Sequence, residues 1–144
     1  MSDGTLKIFA GLLMLEDLDP PPFICIEEPE NTSGNVSVFC NTGDWATGLH
    51  FDTNQNLIAC VPNKGLVSIN KKGEMTILAD EDENGNKFLI PNDVDIASDG
   101  MIYFSNTSSK VPFSRLNARK LVFEVRPDGG LYRYNPNTKN VKTL

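Results

Sequence analysis

A four-strand pattern occurs twice along this chain, and few folds accommodate such a repeat. In the later copy, Ile90-Pro91-Asn92-Asp93 leads into a strand in which Val94 and Ile96 alternate with polar residues; the chain turns at Ser98-Asp99-Gly100 and resumes as Met101-Ile102-Tyr103-Phe104. Two β-forming runs joined by Asp-Gly are a strong short-range hairpin signal. In the earlier copy, Gly48-Leu49-His50-Phe51-Asp52 leads through Thr53-Asn54-Gln55-Asn56 into Leu57-Ile58-Ala59-Cys60. At an offset of roughly 45 residues, Leu49 falls on Val94, Phe51 on Ile96, Asn54 on Asp99 and Leu57 on Ile102. Each copy continues into a second hairpin, Gly65–Asn70 with Met75–Leu78 and Gly130–Asn135 with Val141–Leu144. Four short strands with turn chemistry between them, repeated at this spacing, are blades of a β-propeller. The expected fold is all-β, a partial propeller of about two four-stranded blades plus an incomplete one.

The repeat divides the chain. Residues 1–42 form an N-terminal segment with an incomplete blade, and residues 43–144 form two blades. The later blade carries about twenty extra residues between its second and third strands, at about 110–129. Within them Leu121–Val125 is expected to cover a rim or add a strand. Thr5 to Leu18 reads as a short amphipathic helix stopped by Asp19-Pro20-Pro21-Pro22, or as an extended segment on the first blade. Phe23–Ile26 and Gly34–Cys40 read as strands separated by a turn-rich loop.

A length of 144 residues suffices for one domain with a buried core. The net charge of −6 argues against nucleic acid and anionic membrane surfaces as partners. The acids sit in turns and loops, and Asp80-Glu81-Asp82-Glu83 reads as a solvated loop. The apolar run Ile8–Leu15 is too short for a transmembrane segment and lacks a small-residue cleavage site, so no signal peptide is read. The compartment stays open, with the cytoplasm favoured. Cys25, Cys40 and Cys60 lack the spacing of a Cys/His metal cluster, and a buried free thiol is expected for Cys40 and Cys60. A Cys25–Cys40 disulfide is the alternative in a secreted chain. Asn31, Asn35 and Asn106 begin Asn-x-Ser/Thr sequons.

The polar pair Asn92-Asp93 lies where a rigid β frame presents ligand-binding groups. The same residue types also satisfy turn backbone groups through Asx hydrogen bonds. Ser105, Thr107, Ser108 and Ser109 are rich in hydroxyls but have no His nearby in sequence, and a nucleophile needs an oriented base. His50 lies on an alternating strand and reads as a strand-face residue. Trp45 is expected to pack between blades.

The residues Phe88 to Asp95, then Asp99 to Lys110, then Gly129 to Asn135 resemble the strictosidine synthase-like proteins. The nearest likeness is to the adipocyte plasma membrane-associated type, within the clan of paraoxonases and gluconolactonases. The motifs are the Asn-Asp pair, the Asp-Gly turn, the Tyr-Phe-Ser-Asn-Thr-Ser-Ser-Lys strand end and the Gly-Gly-Leu-Tyr-Arg-Tyr strand. Gly48-Leu49 and Lys64-Gly65-Leu66 fit the preceding blade. The likeness covers roughly residues 43–144. It implies a six-bladed propeller about twice as long, of which this chain resembles blades two and three with part of a first. It also implies a calcium or other divalent ion in the central channel. By matching position Asn92 is a ligand, Asp93 serves a second ion or caps the strand, and Glu30 imitates a first-blade Glu. Asn106 departs from the family's Asp at that strand end. The Glu of the strictosidine condensation belongs to a late blade outside this sequence, so that chemistry is not carried over.

Two functional readings follow. In the first, the chain is, or is a fragment of, a metal-dependent hydrolase of arylesterase or lactonase type acting on a small-molecule substrate, with calcium as cofactor. In the second it is a non-catalytic propeller fragment that binds or assembles through exposed blade faces, including as a homo-oligomer that completes the ring. A truncated product without its own function is a third.

Overall fold

The computed structural model describes Phe23–Glu27 and residues 36–112, 114 and 128–144. The expected helix at 5–18, Glu30 and the apolar run 121–125 lie outside the described residues. Every regular element among the described residues is a β-strand. Strands β1 (Phe23–Glu27) and β2 (Val36–Asn41) form a two-stranded sheet. Strands β3 (Leu49–Phe51), β4 (Leu57–Val61), β5 (Gly65–Ile69) and β6 (Met75–Ala79) form a four-stranded antiparallel meander. Strands β7 (Pro91–Ile96), β8 (Ile102–Asn106), β9 (Gly130–Asn135) and β10 (Asn140–Thr143) form a second one. These are the two blades expected from the repeat, and the small sheet is the incomplete one.

Strand β4 shows why the blades stack. All five of its residues are buried, because one apolar core lies on each face. Leu57, Ala59 and Val61 join Val67, Ile69 and Cys40 on the side toward the small sheet. Ile58 and Cys60 join Leu66, Val94, Ile102, Phe104, Tyr132 and Tyr134 on the side toward the second blade. Period-two alternation sends successive side chains to opposite faces, so a run without polar residues is what a doubly covered strand requires. Fully burying one such aliphatic side chain contributes about 1.5–3 kcal/mol.

Phe88 plugs the seam between the blades. It comes from the connection between β6 and β7, where its backbone N–H donates to Asp80 O at 2.9 Å. Its ring meets Phe104 edge-on at 4.9 Å and Tyr132 at 4.7 Å, while Phe104 and Tyr132 stack at 5.5 Å. Such aromatic pairs add about 0.5–1.5 kcal/mol beyond burial. Burial raises the pKa of both Tyr132 and Tyr134.

The turns are capped by the same device in several places. Asp52 Oδ1 accepts from the backbone N–H of Asn54 and of Asn56, both at 2.8 Å, and Asp52 Oδ2 accepts from Asn56 Nδ2 at 2.9 Å. Asp82 does the same with Asn84 and Asn86 in the inter-blade connection, which holds its carboxyl below the usual range against a desolvation that opposes it. Asn70 repeats the pattern with Lys72 and Glu74. Asx bonding of this kind fixes a turn locally.

Cys40 and Cys60 are free, buried thiols, so the Cys25–Cys40 disulfide is not formed. Ile24 is the backbone partner of Cys40, whereas Cys25 pairs with Val38. No helix among the described residues is long and apolar enough to cross a membrane.

Candidate functional site

Asn92 and Asp93 stand on a β-bulge. Along the β7–β8 ladder, Pro91 pairs with Asn106 and Val94 with Phe104, so Asn92 and Asp93 together oppose the single residue Ser105. A bulge of this kind bends its strand and re-aims side chains, and bulges gather next to active sites. The Asp93 N–H donates to Ser105 Oγ at 3.2 Å, and Asp93 Oδ1 accepts from the Val94 N–H at 2.9 Å. Asn92 and Asp93 are both exposed.

The first blade has a bulge at the equivalent place. Leu49 pairs with Ala59. Beyond that pair, the Thr47 N–H donates to Cys60 O and the Cys60 N–H donates to Gly48 O, both at 2.9 Å. Two residues again exchange bonds with one. With the repeat offset of about 45 residues, Thr47-Gly48 corresponds to Asn92-Asp93 and Cys60 to Ser105. The later copy carries an amide and a carboxylate there, where the earlier has a hydroxyl and a glycine.

Connections gather at this end of the blades. The Leu89 N–H donates to Ser108 O, the Thr107 N–H to Ile90 O, and the Asn63 N–H to Leu89 O. Asn63 Nδ2 donates to Asp44 Oδ2 at 2.8 Å. The start of β7 therefore sits on a rigid floor surrounded by tied loops, as a ligand-binding strand end does.

The hydroxyl-rich stretch after β8 serves this tying. Ser108 is fully buried. Its Oγ donates to Asp128 Oδ1 at 3.1 Å and accepts from the N–H groups of Lys110 and Val111. The Ser109 N–H donates to Asp128 Oδ2, and Lys110 Nζ approaches the same oxygen at 3.8 Å. Asn106 Oδ1 accepts from the Ile90 N–H at 3.0 Å, and Asn106 Nδ2 donates to Ser109 Oγ. Both ends of the 110–128 stretch are thus clasped together. Ser105, Ser108 and Ser109 thus spend their hydroxyls on backbone amides, a carboxylate and the Asn106 amide. Asn106 is 2 % exposed, so its sequon is closed in the folded chain. Asp128 was not marked by the sequence, because it lies at the far end of the extra residues, where the repeat supplies no counterpart.

His50 is exposed on β3. Its Nδ1 is 2.8 Å from Phe51 O and its Nε2 is 3.3 Å from Asp95 Oδ1. It bridges the two inner strands, and among the described residues its ring nitrogens meet a backbone carbonyl and a carboxylate.

The residues present fit a hard cation only in part. Asn92 offers a side-chain carbonyl and Asp93 a carboxylate, both oxygen donors of the type calcium takes. One oxygen of Asp93 is already committed to Val94. Calcium takes about six to eight oxygens, and among the described residues no group of three His, Cys, Asp or Glu is placed to hold a metal. Glu30 is not among the described residues. The turn acids offer no substitute, since the carboxylates of Asp52 and Asp82 are occupied by their own turns.

No protein-family model matches the chain. Protein strictosidine synthase-like 4 of Arabidopsis thaliana is 31 % identical over 109 residues, covering 76 % of this chain and 29 % of the relative. The adipocyte plasma membrane-associated protein of Rattus norvegicus is 36 % identical over 101 residues, covering 67 % and 26 %. The chain thus spans less than a third of the length of these relatives. Among solved structures, a gluconolactonase from Xanthomonas campestris superposes with a TM-score of 0.65 at 18 % identity, covering 86 % of this chain and 40 % of the other. A putative gluconolactonase gives a TM-score of 0.57 at 23 % identity. These two similarities speak for the fold alone, in which the two stacked meanders are adjacent blades of a partial β-propeller. Sequence and fold together establish that the chain belongs to the strictosidine synthase-like family, as a partial-length β-propeller.

Proposed function

We propose that the chain contributes to a metal-dependent ester or lactone hydrolase, with Asn92 as a ligand of a calcium-type ion at the inner-strand end of its blade. One observation carries the reading. Asn92 is exposed on a bulge of the innermost strand, in a fold shared with gluconolactonases. Asp93 supplies a second oxygen through the carboxylate oxygen that Val94 leaves free. A bound divalent ion would polarise a substrate carbonyl and lower the pKa of a coordinated water. The chain's own residues hold the ligands in place: Ser105 fixes the Asp93 amide, and the Ser108–Asp128 clasp fixes the neighbouring loop. The rest of the coordination shell belongs to other parts of a full propeller.

The test is calcium-dependent melting of the wild-type chain, Asn92→Ala and Asp93→Asn, together with hydrolysis of an aryl ester and an aldonolactone. An ion at a hundred times its Kd stabilises by about 2.7 kcal/mol. The reading requires a calcium shift in the wild type that Asn92→Ala abolishes. A wild type indifferent to calcium and to chelator overturns it.

A second reading, a binding or assembly module, is favoured by the outer face of the second blade. In the first blade Ile58, Cys60 and Leu66 pack on the next blade. The ladder puts Tyr103, Ser105 and Leu131 at the same positions in the second blade. There Leu131 is 49 % exposed, and neighbouring Leu144 is 59 % exposed. Exposed apolar positions equivalent to buried ones fit a covering blade, from the rest of a propeller or from a second copy. Sedimentation velocity of the wild type and Leu131→Asp decides: concentration-dependent oligomers lost in the variant support it, and a monomeric wild type opposes self-assembly.

A further inference from the structure

We propose that Thr47, Gly48 and Cys60 of the first blade are positioning residues that together form the seat setting the place of the Asn92-Asp93 bulge in the second. The functional consequence rests on the reading of Asn92 as an ion ligand, whereas the seat itself rests on geometry.

Three contacts converge on four consecutive residues. The Thr47 hydroxyl lies 2.9 Å from Pro91 O and 3.2 Å from Cys60 O, so one side chain joins β4 to the residue before Asn92. The Cys60 thiol lies 3.5 Å from Asp93 O, and Cys60 has no exposed surface. A Cβ at Gly48 would meet Asp93 Cα at 2.7 Å, Val94 N at 2.7 Å and Asn92 O at 2.9 Å. All three are backbone atoms, so no side-chain rotation relieves the clash. Gly48 is therefore required by close approach, the use of glycine where two backbones meet. The two bulges are nested: the bare bulge of one blade receives the ligand-bearing bulge of the next. The division of labour explains why repeat-equivalent residues differ. Thr-Gly makes a socket, and Asn-Asp fills it and points outward.

Cys60 also reports on the seat. It lies at the seam core with its thiol against the bulge, and Cys40 is buried in the other core, giving an internal reference. The experiment uses the 144-residue chain. Thiol labelling under native conditions, with each cysteine resolved by peptide mass, is compared between the wild type, Gly48→Ala, Thr47→Val and Asn92→Ala. Thr47→Val keeps the side-chain shape and removes only the hydroxyl, so it serves if Gly48→Ala fails to fold. Titration with calcium alone accompanies the labelling.

The expected result is Cys60 labelling faster by about tenfold or more in Gly48→Ala and clearly faster in Thr47→Val, with Cys40 unchanged. Asn92→Ala should label like the wild type, since it removes a ligand and leaves the seat. Calcium affinity should fall in both seat variants. Cys60 labelling at the wild-type rate in the seat variants overturns the proposal, as does equal acceleration of Cys40, which would mean general loosening. Unchanged calcium affinity with a displaced bulge overturns the functional coupling. Failure of the ion reading is separate: it shows as no calcium binding by the wild type, and the labelling still decides the seat.

Discussion

His50 Nε2 lies 3.3 Å from Asp95 Oδ1, and the two residues hold the same position in successive blades. Each follows the repeat-equivalent apolar residue of its inner strand, half-buried Leu49 or buried Val94. The same register that stacks the cores therefore brings this pair together across the seam. Both side chains are well exposed, at 43 % and 84 %. Solvent screens such a pair and its net contribution stays below about 1 kcal/mol. His50→Gln and Asp95→Asn should each lower the urea midpoint only slightly. Their coupling in a double-mutant cycle should vanish in 1 M salt, roughly where the screening length falls to 3 Å.

Gly65 opens the central strand β5 with φ of +97°. A Cβ there would lie 2.2 Å from Ala79 O and 2.8 Å from Asp80 Cα. Conformation and space both exclude a side chain, and the obstructing atoms are backbone of the paired strand. Gly65→Ala should cost more than about 2 kcal/mol in urea unfolding. A loss within experimental error would show that β5 and β6 separate freely at this end.

Asp128 holds the other side of the clasp. Asp128→Ala would leave the Ser108 hydroxyl buried without its acceptor, a loss of about 1–3 kcal/mol. Ser108→Ala should cost a similar amount, and the double variant should cost less than the sum. Strict additivity in denaturant unfolding would mean that the two do not act as a unit.

Lys139 and Gln55 hold left-handed turn positions with φ of 58° and 65°. A side chain is disfavoured there and glycine is not. Lys139→Gly and Gln55→Gly should each leave stability unchanged or raise it by up to about 1 kcal/mol. Clear destabilisation of both by thermal melting would refute the turn assignment.

The alternation of Val94, Ile96, Leu49 and Phe51, the Asp-Gly turn and the repeat spacing made the strands and their order legible, because they depend on local chemistry and period. The Asn92-Asp93 pair was legible as a polar strand opening. That it forms a bulge was not, since a bulge is a relation between two strands and Ser105 alone does not announce it. Gly48 read as the opening residue of the earlier copy's first strand, while its role depends on backbone from residues far along the chain. The serines and Asn106 were visible as a motif, but their partner Asp128 stands outside the repeat. Glu83 read as one acid of a solvated loop. It is exposed, yet its carboxylate binds the outermost strand of the next blade, a contact no short-range pattern encodes.

That contact makes a pH prediction. Glu83 Oε1 and Oε2 accept from the Thr143 N–H at 3.0 and 3.1 Å, and Oε2 also accepts from Thr143 Oγ1 at 3.0 Å. The Thr143 amide, with help from Glu83's own amide and the Thr143 hydroxyl, holds the carboxyl below its ordinary value of 4.5, against desolvation and nearby Asp82. The folded pKa is lower than the unfolded one, so the unfolded chain binds the proton first as acid is added. The contribution to stability is therefore present above 4.5 and is lost as pH falls through the depressed folded value. Glu83→Gln keeps an acceptor and removes the titration. Between about pH 6 and pH 3 the wild type should lose more stability than Glu83→Gln, measured as the shift in urea midpoint. The difference should shrink in a Thr143→Pro background, which removes the principal donor, the Thr143 amide, together with the hydroxyl. Equal acid sensitivity of the wild type and Glu83→Gln would show that β10 is held at that edge by its ladder with β9 alone.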